Sequence, residues 1–185
     1  MGRRLVHVIF GLIIFSATPA MSEVSIPEEV IAVATEGKEC RLPAGKSAAD
    51  MTQVGQLDSD RTLYLVPCPS DANNVLYQAI IGQAAGDMGE GPMVYEVAHF
   101  ASFSQSNGWH AVSYLANATF DEEAARLVHF YKETAAASCG TRTSWVWTEY
   151  GFVMEELRQE LVCNGLAPME WPAVYEHSAP LPGQN

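Results

Sequence analysis

The stretch from Cys139 to Trp171 does most to limit what this chain can fold into. It holds Cys139-Gly140, Trp145-Val146-Trp147, Phe152, Cys163-Asn164-Gly165 and Trp171-Pro172. Two cysteines, three of the four tryptophans and glycines suited to turns thus fall in one short span. Residues 144–148 and 152–163 flank Glu149-Tyr150-Gly151, which suits a β-hairpin. A bond between Cys139 and Cys163 would close it. The second arm carries a conflict. Val153, Leu157 and Leu161 recur at i, i+4 and i+8, a helical period. Strand alternation puts the same residues on one face, but with Glu155 and Gln159 among them. Periodicity alone favours helix.

The start of the chain reads as an address. Arg3 and Arg4 precede an apolar run, Leu5 to Phe15, and small residues follow up to Ala20. This is the pattern of a signal peptide over residues 1–20, cut before Met21. The run is too short for a spanning helix, so no stable membrane insertion is expected after cleavage. Residues 21–178 form one globular domain in this reading, and 179–185 a disordered tail. Removing Arg3 and Arg4 takes the formal charge from −12 to −14. So acidic a chain makes a poor partner for nucleic acid or anionic lipid, which need a positive footprint. Four cysteines remain: Cys40, Cys68, Cys139 and Cys163. In an oxidising compartment an even count reads as two disulfides. Of three possible pairings the simplest is sequential, Cys40 with Cys68 and Cys139 with Cys163. Zinc is disfavoured because no C-x-x-C pair is present.

Elsewhere residues 25–36 read as a short helix, with Ser25 and Glu28 at capping-box spacing and Gly37 to end it. Residues 38–60 are polar and loop-like. Strands are expected over 62–67, 75–81 (stopped by Gly82), 93–100 and 109–117, with a mobile loop over 82–92. Residues 120–132 fit either a helix N-capped by Asp121 or a strand over 127–131 after a turn. The fold class is therefore α+β, mainly antiparallel β, disulfide-stapled, with a short N-terminal helix.

No catalytic motif of known spacing is present: no G-x-S-x-G, P-loop, G-x-G-x-x-G or H-E-x-x-H. His99, His110, His129 and His177 lack metal-ligand spacing. Residues 86–91 are glycine-rich, but their acids would repel phosphate and they lack an EF-hand pattern. No metal, cofactor or catalytic residue is expected. Trp145 and Trp147 share a strand face. That face is either a binding platform or, as large aromatics usually are, a core anchor. Trp171-Pro172 would cap the same cluster. Trp109, beside Gly108 at a loop edge, is the better exposed aromatic, with His110 next to it. The candidate binding residues are thus Trp109, His110, Trp145 and Trp147. Asp121-Glu122-Glu123 and Glu155-Glu156 could pair as glycosidase carboxylates, but a solvated charged face is the commoner meaning of such groups.

Two blocks of residues resemble a known family. The first is Thr62-Leu63-Tyr64-Leu65-Val66-Pro67-Cys68, then Asn73-Asn74 before Val75-Leu76-Tyr77. The second is Leu115-Ala116-Asn117-Ala118-Thr119-Phe120-Asp121, Lys132, Ser138-Cys139-Gly140, Trp145-Val146-Trp147, Phe152, Cys163-Asn164-Gly165 and Trp171-Pro172. Their order is similar to that of domain of unknown function 1176, over residues 26–176, which correspond to the C-terminal half of a typical, longer member. The resemblance implies an antiparallel β-rich domain, a periplasmic home and no settled activity. It also implies that residues 152–163 form a strand. The chain departs from the family before Cys139, where Lys132-Glu133-Thr134-Ala135-Ala136-Ala137 replaces a basic, glycine-rich stretch. It departs again after Cys68, where Asp71-Ala72-Asn73-Asn74 stands in place of Gly-Ala-Tyr-Asn.

These observations favour an exported, non-enzymatic binding or inhibitor-like module for a protein or cell-wall component. Two alternatives stand beside it. One is an envelope hydrolase using His110 or His129 with Asp121, and the other is an envelope structural or stress protein.

Overall fold

The computed structural model describes residues 25–36, 45–70, 73–86 and 91–178. Its elements are α1 (Glu28–Thr35), α2 (Ala48–Met51), β1 (Gln53–Gln56), β2 (Arg61–Ser70), β3 (Val75–Ala84), β4 (Met93–Val97), β5 (Phe100–Ser104), β6 (Gly108–Val112), β7 (Tyr114–Ala116), β8 (Thr119–Asp121), β9 (Arg126–Lys132), β10 (Gly140–Thr148), β11 (Gly151–Glu160) and β12 (Ala173–Glu176). The first sheet runs β1-β2-β3-β4, with β7 also paired to β3, and the second runs β12-β11-β10-β9-β8. The β5–β6 hairpin stands alone. The pairings are antiparallel. The mainly antiparallel β class expected from sequence is what forms.

Alternation along β2 and β3 makes the first sheet two-sided. Leu63, Leu65 and Ala79 join Phe100, Leu115, Leu127 and Trp145 in a core between the sheets. Tyr64, Val66 and Ile80 point the other way, onto Val30 and Ala34 of α1. Helix α1 therefore covers the back of the first sheet, and the second sheet covers its front. Strand β3 runs through Gly82 rather than stopping there. A Cβ at Gly82 would lie 2.9 Å from the Tyr95 ring and 3.2 Å from that of Tyr64, so this glycine makes room for two packed tyrosines.

Strand β11 resolves the helix-or-strand conflict in favour of strand. Met154 pairs with Trp145, but Glu156 pairs with Ser144, so Glu155 is one residue more than its partner strand can match. This bulge moves the core-facing positions from Phe152 and Met154 to Leu157. Val153, opposite Val146, and Leu157, opposite Thr143, consequently lie on different faces of the sheet, so their i, i+4 spacing marks no common face.

Other expectations are corrected. Helix α1 starts at Pro27 with no side-chain cap, so the Ser25–Glu28 capping box does not form. A capping box does form at α2, between Ser47 and Asp50, within a stretch expected to be loop. That stretch also contributes β1. The 93–100 strand breaks at Ala98-His99, and the 109–117 strand breaks at Ser113. Residues 102–108, polar enough in sequence to be expected as a loop, belong to the β5–β6 hairpin as strand ends and the turn between them. Residues 120–132 take the strand alternative, as β8 and β9. The signal peptide, Gly37, part of the 82–92 loop and the tail lie outside the described residues.

Two asparagines fasten the sheets together. Asn117, at φ +45°, donates to Asn74 Oδ1 at 2.8 Å and to the Phe130 carbonyl at 2.9 Å. Its own Oδ1 accepts from Val75 N–H. Asn74, buried, exchanges two bonds with the Lys132 backbone. The ends of β3 and β9 are thereby held without an intervening strand.

Candidate binding cleft

The β10–β11 hairpin ends against the first sheet, and its turn is fixed locally. Thr148 Oγ1 donates to the Gly151 carbonyl and accepts from Tyr150 N–H. Gly151 takes φ +108°, a conformation glycine permits cheaply. This turn presents Glu149 and Tyr150, whose side chain is 80% exposed.

Two adjoining clefts open beside it, of about 420 and 510 Å³. They share Arg61, Trp147 and Glu149. Trp147 forms the wall between them. Its indole N–H donates to Asp58 at 3.1 Å, and its ring meets Phe152 at 5.0 Å edge-on. The Arg61 guanidinium lies 5.4 Å from the Trp147 ring centroid, within cation–π range. It also approaches Asp58 at 3.8 Å. Arg61 is thus already engaged. Asp58, Asp60, Glu96 and Glu149 line the clefts against this one guanidinium. Four carboxylates and one cation leave the site three charges negative, and no lysine lines it. The site can receive a cationic, partly apolar group. Among the described residues no group of three or more His, Cys, Asp or Glu could hold a metal ion.

Of the residues singled out from sequence, Trp147 reaches this cleft. Trp145, on the same strand face, is 2% exposed and packs against Phe100 at 4.9 Å, so it is a core anchor and not a platform. Trp171, fully buried, packs on Phe130. Phe130 adjoins His129, which faces Trp145, and neighbours on a strand point oppositely. Trp171 therefore covers the other face of the second sheet, not the Trp145 cluster. Trp109 is 53% exposed on the β5–β6 hairpin and touches Phe103 and Tyr175 edge-on. His110 lies on the opposite hairpin face. Cys139 and Cys163 are bonded. Cys68 is also disulfide-bonded; its expected partner, Cys40, lies outside the described residues.

The carboxylates suspected of acid–base work hold structure instead. Glu155 takes two bonds from Arg126, each 2.8 Å, and one from Ser144. Glu156 lies between Arg142 and Arg158. Asp121 caps Ala124 N–H. It pairs with Arg126, three residues from His129 on β9, a separation of roughly 10 Å along the strand. The His129–Asp121 pairing is therefore not formed.

His129 is half-buried, and its Nδ1 accepts from Ala116 N–H at 2.9 Å. Desolvation by the packed core around the ring pushes its imidazole down to about 4. The unfolded chain takes this proton near an ordinary pKa of about 6.5. Stability from this group is therefore fully present above pH 6.5 and is lost as pH falls toward 4, to an extent of about 3 kcal/mol. Urea unfolding of the wild type and of His129→Gln, compared from pH 7 to pH 4, should show the difference between them narrowing in that window. A difference independent of pH would show that His129 is not held neutral.

Arg61, Asp58, Asp60, Glu96 and Glu149 are the cleft residues that sequence reasoning missed. The Glu149-Tyr150-Gly151 turn was the signal for one of them. Nothing in the sequence tells that the turn abuts the ends of β2 and β4.

A family model described as a protein of unknown function (DUF1176) matches residues 16–178, as the two sequence blocks anticipated. The comparisons with curated proteins and with solved structures give no match.

Proposed function

The chain belongs to the DUF1176 family of proteins of unknown function, and on that premise we propose that it is an exported, non-catalytic binding module whose partner is a basic protein segment. The observation that carries the reading is the acid-rimmed aromatic cleft on a fixed hairpin end. Trp147 and Phe152 supply apolar wall, Tyr150 stands out into solvent, and Glu96 and Glu149 supply uncompensated charge. Aromatic anchors at the centre of a contact, with complementary charge around them, are how protein interfaces gain affinity and specificity. A charge of −14 after signal cleavage, −12 for the full chain less Arg3 and Arg4, would steer a cationic partner toward the molecule. Export is supported by the N-terminal signal pattern and by cysteines used as disulfides.

Calorimetric titration of the mature, oxidised protein with hexa-arginine tests the reading. The double variant Glu96→Gln/Glu149→Gln should bind at least about tenfold more weakly, equivalent to about 1.4 kcal/mol. Glu122→Gln/Glu123→Gln, which removes the same charge elsewhere, should bind nearly as the wild type. Equal loss in both variants would show diffuse electrostatic attraction and no site.

A further inference from the structure

A second cavity, of about 260 Å³, lies under the β5–β6 hairpin and shares no residue with the acidic cleft. Ser102, Ser104 and His110 line it from the hairpin, and His129, Thr141 and Gln159 from the second sheet, with Tyr131 and Glu133 beside them. Two hydrogen bonds fix the proton positions of its imidazoles. His110 Nδ1 meets the Gly108 carbonyl at 2.9 Å. A carbonyl only accepts, so Nδ1 carries the proton and the neutral ring offers Nε2 as an acceptor. His129 Nδ1 receives the Ala116 N–H at 2.9 Å. That nitrogen must be bare, so the neutral ring carries its proton on Nε2. One cavity thus holds one imidazole donor and one imidazole acceptor.

This pairing suits a group that accepts and donates at once, which is what a hydroxyl does. The rest of the lining agrees. Gln159 Nε2 gives one N–H to Thr141 Oγ1 at 3.2 Å, which leaves its second N–H to donate and its amide oxygen to accept. Ser102 and Thr141 add hydroxyls, while the Phe103 ring packs on Trp109 on the far face of the hairpin and offers the cavity no stacking surface. No lysine or arginine lines the cavity, so it lacks the complement of an anion. The volume accommodates a single pyranose ring and falls slightly short of a drug-sized pocket.

We propose that the cavity between His110 and His129 is a saccharide subsite. A ring hydroxyl there accepts from His129 Nε2–H and donates to His110 Nε2. The vicinal hydroxyl reaches Gln159 and Thr141. The site is independent of the acidic cleft, and either stands without the other.

Nitrogen-detected NMR of imidazole-labelled mature protein at pH 8 gives the first test, with no ligand needed. The account requires Nε2 protonated on His129 and Nδ1 protonated on His110; the reverse tautomer on either ring overturns it. Titration with D-glucose and with N-acetylglucosamine to 100 mM gives the second. At least one should shift both Nε2 resonances saturably, while hexa-arginine leaves them unmoved. His110→Leu should weaken that binding about tenfold or more, and His110→Gln, which restores an acceptor, should recover part of it. Absence of saturable shifts with both sugars, in protein of the required tautomers, overturns the proposal. So does unchanged affinity in His110→Leu.

Discussion

A Gly140→Ala protein should be less stable to urea than the wild type by about 4 kcal/mol or more. Gly140 follows Cys139 at the start of β10, at φ +147°, where side chains are rarely tolerated. An added Cβ would lie 2.0 Å from the Tyr131 carbonyl oxygen. That oxygen is backbone in a paired strand: Gly140 faces Lys132 on one side and Glu160 on the other. Neither neighbour can yield without breaking a ladder. The cost therefore combines a forbidden conformation with a steric conflict against rigid atoms. Gly151 supplies the control. It has φ +108° but nothing within 4 Å of an added Cβ, so Gly151→Ala should lose only about 1–2 kcal/mol. Equal losses at the two sites, with unchanged denaturant slopes, would contradict the packing assigned to Gly140.

Opening the Cys139–Cys163 bond should cost nearly as much. The two cysteines are 24 residues apart in sequence, and closing a loop of that size removes about 3.5 kcal/mol of chain entropy from the unfolded state. The strands they join are already paired at Gly140 and Glu160. The native hairpin thus needs little from the bond, and most of the effect should act through the unfolded chain. Cys139→Ser/Cys163→Ser should therefore keep its native spectrum at low temperature while its urea midpoint falls. A loss of less than about 1 kcal/mol would mean that the unfolded chain holds this hairpin together without the bond.

The sequence made the two-faced strands legible, because Leu63, Tyr64, Leu65 and Val66 alternate cleanly and each face meets a different layer. It made the β10–β11 hairpin legible through its turn. It hid the bulge at Glu155, since Val153 and Leu157, four residues apart, turn to opposite faces only because one residue between them goes unmatched. Gly82 misled for a related reason: a glycine that admits two tyrosine rings looks the same in sequence as one that ends a strand. Trp145 and Trp147 show the limit of face assignment. Both point inward, yet one lies mid-sheet in the core and the other at the sheet's end beside a cleft. Arg61 and Glu96 come from strands far apart in sequence, so their meeting with Glu149 depends on how the sheets stack. The opposite tautomers of His110 and His129 depend on backbone partners that only the fold supplies.

The most direct test of the binding account is an amide and indole NMR map of the mature protein during titration with hexa-arginine at physiological salt. The account predicts saturable shifts gathered at Arg61, Glu96, the Trp147 indole, Glu149 and Tyr150. Shifts scattered over acids remote from the cleft, such as Glu122, Glu170 and Glu176, with the Trp147 indole unmoved, would contradict it.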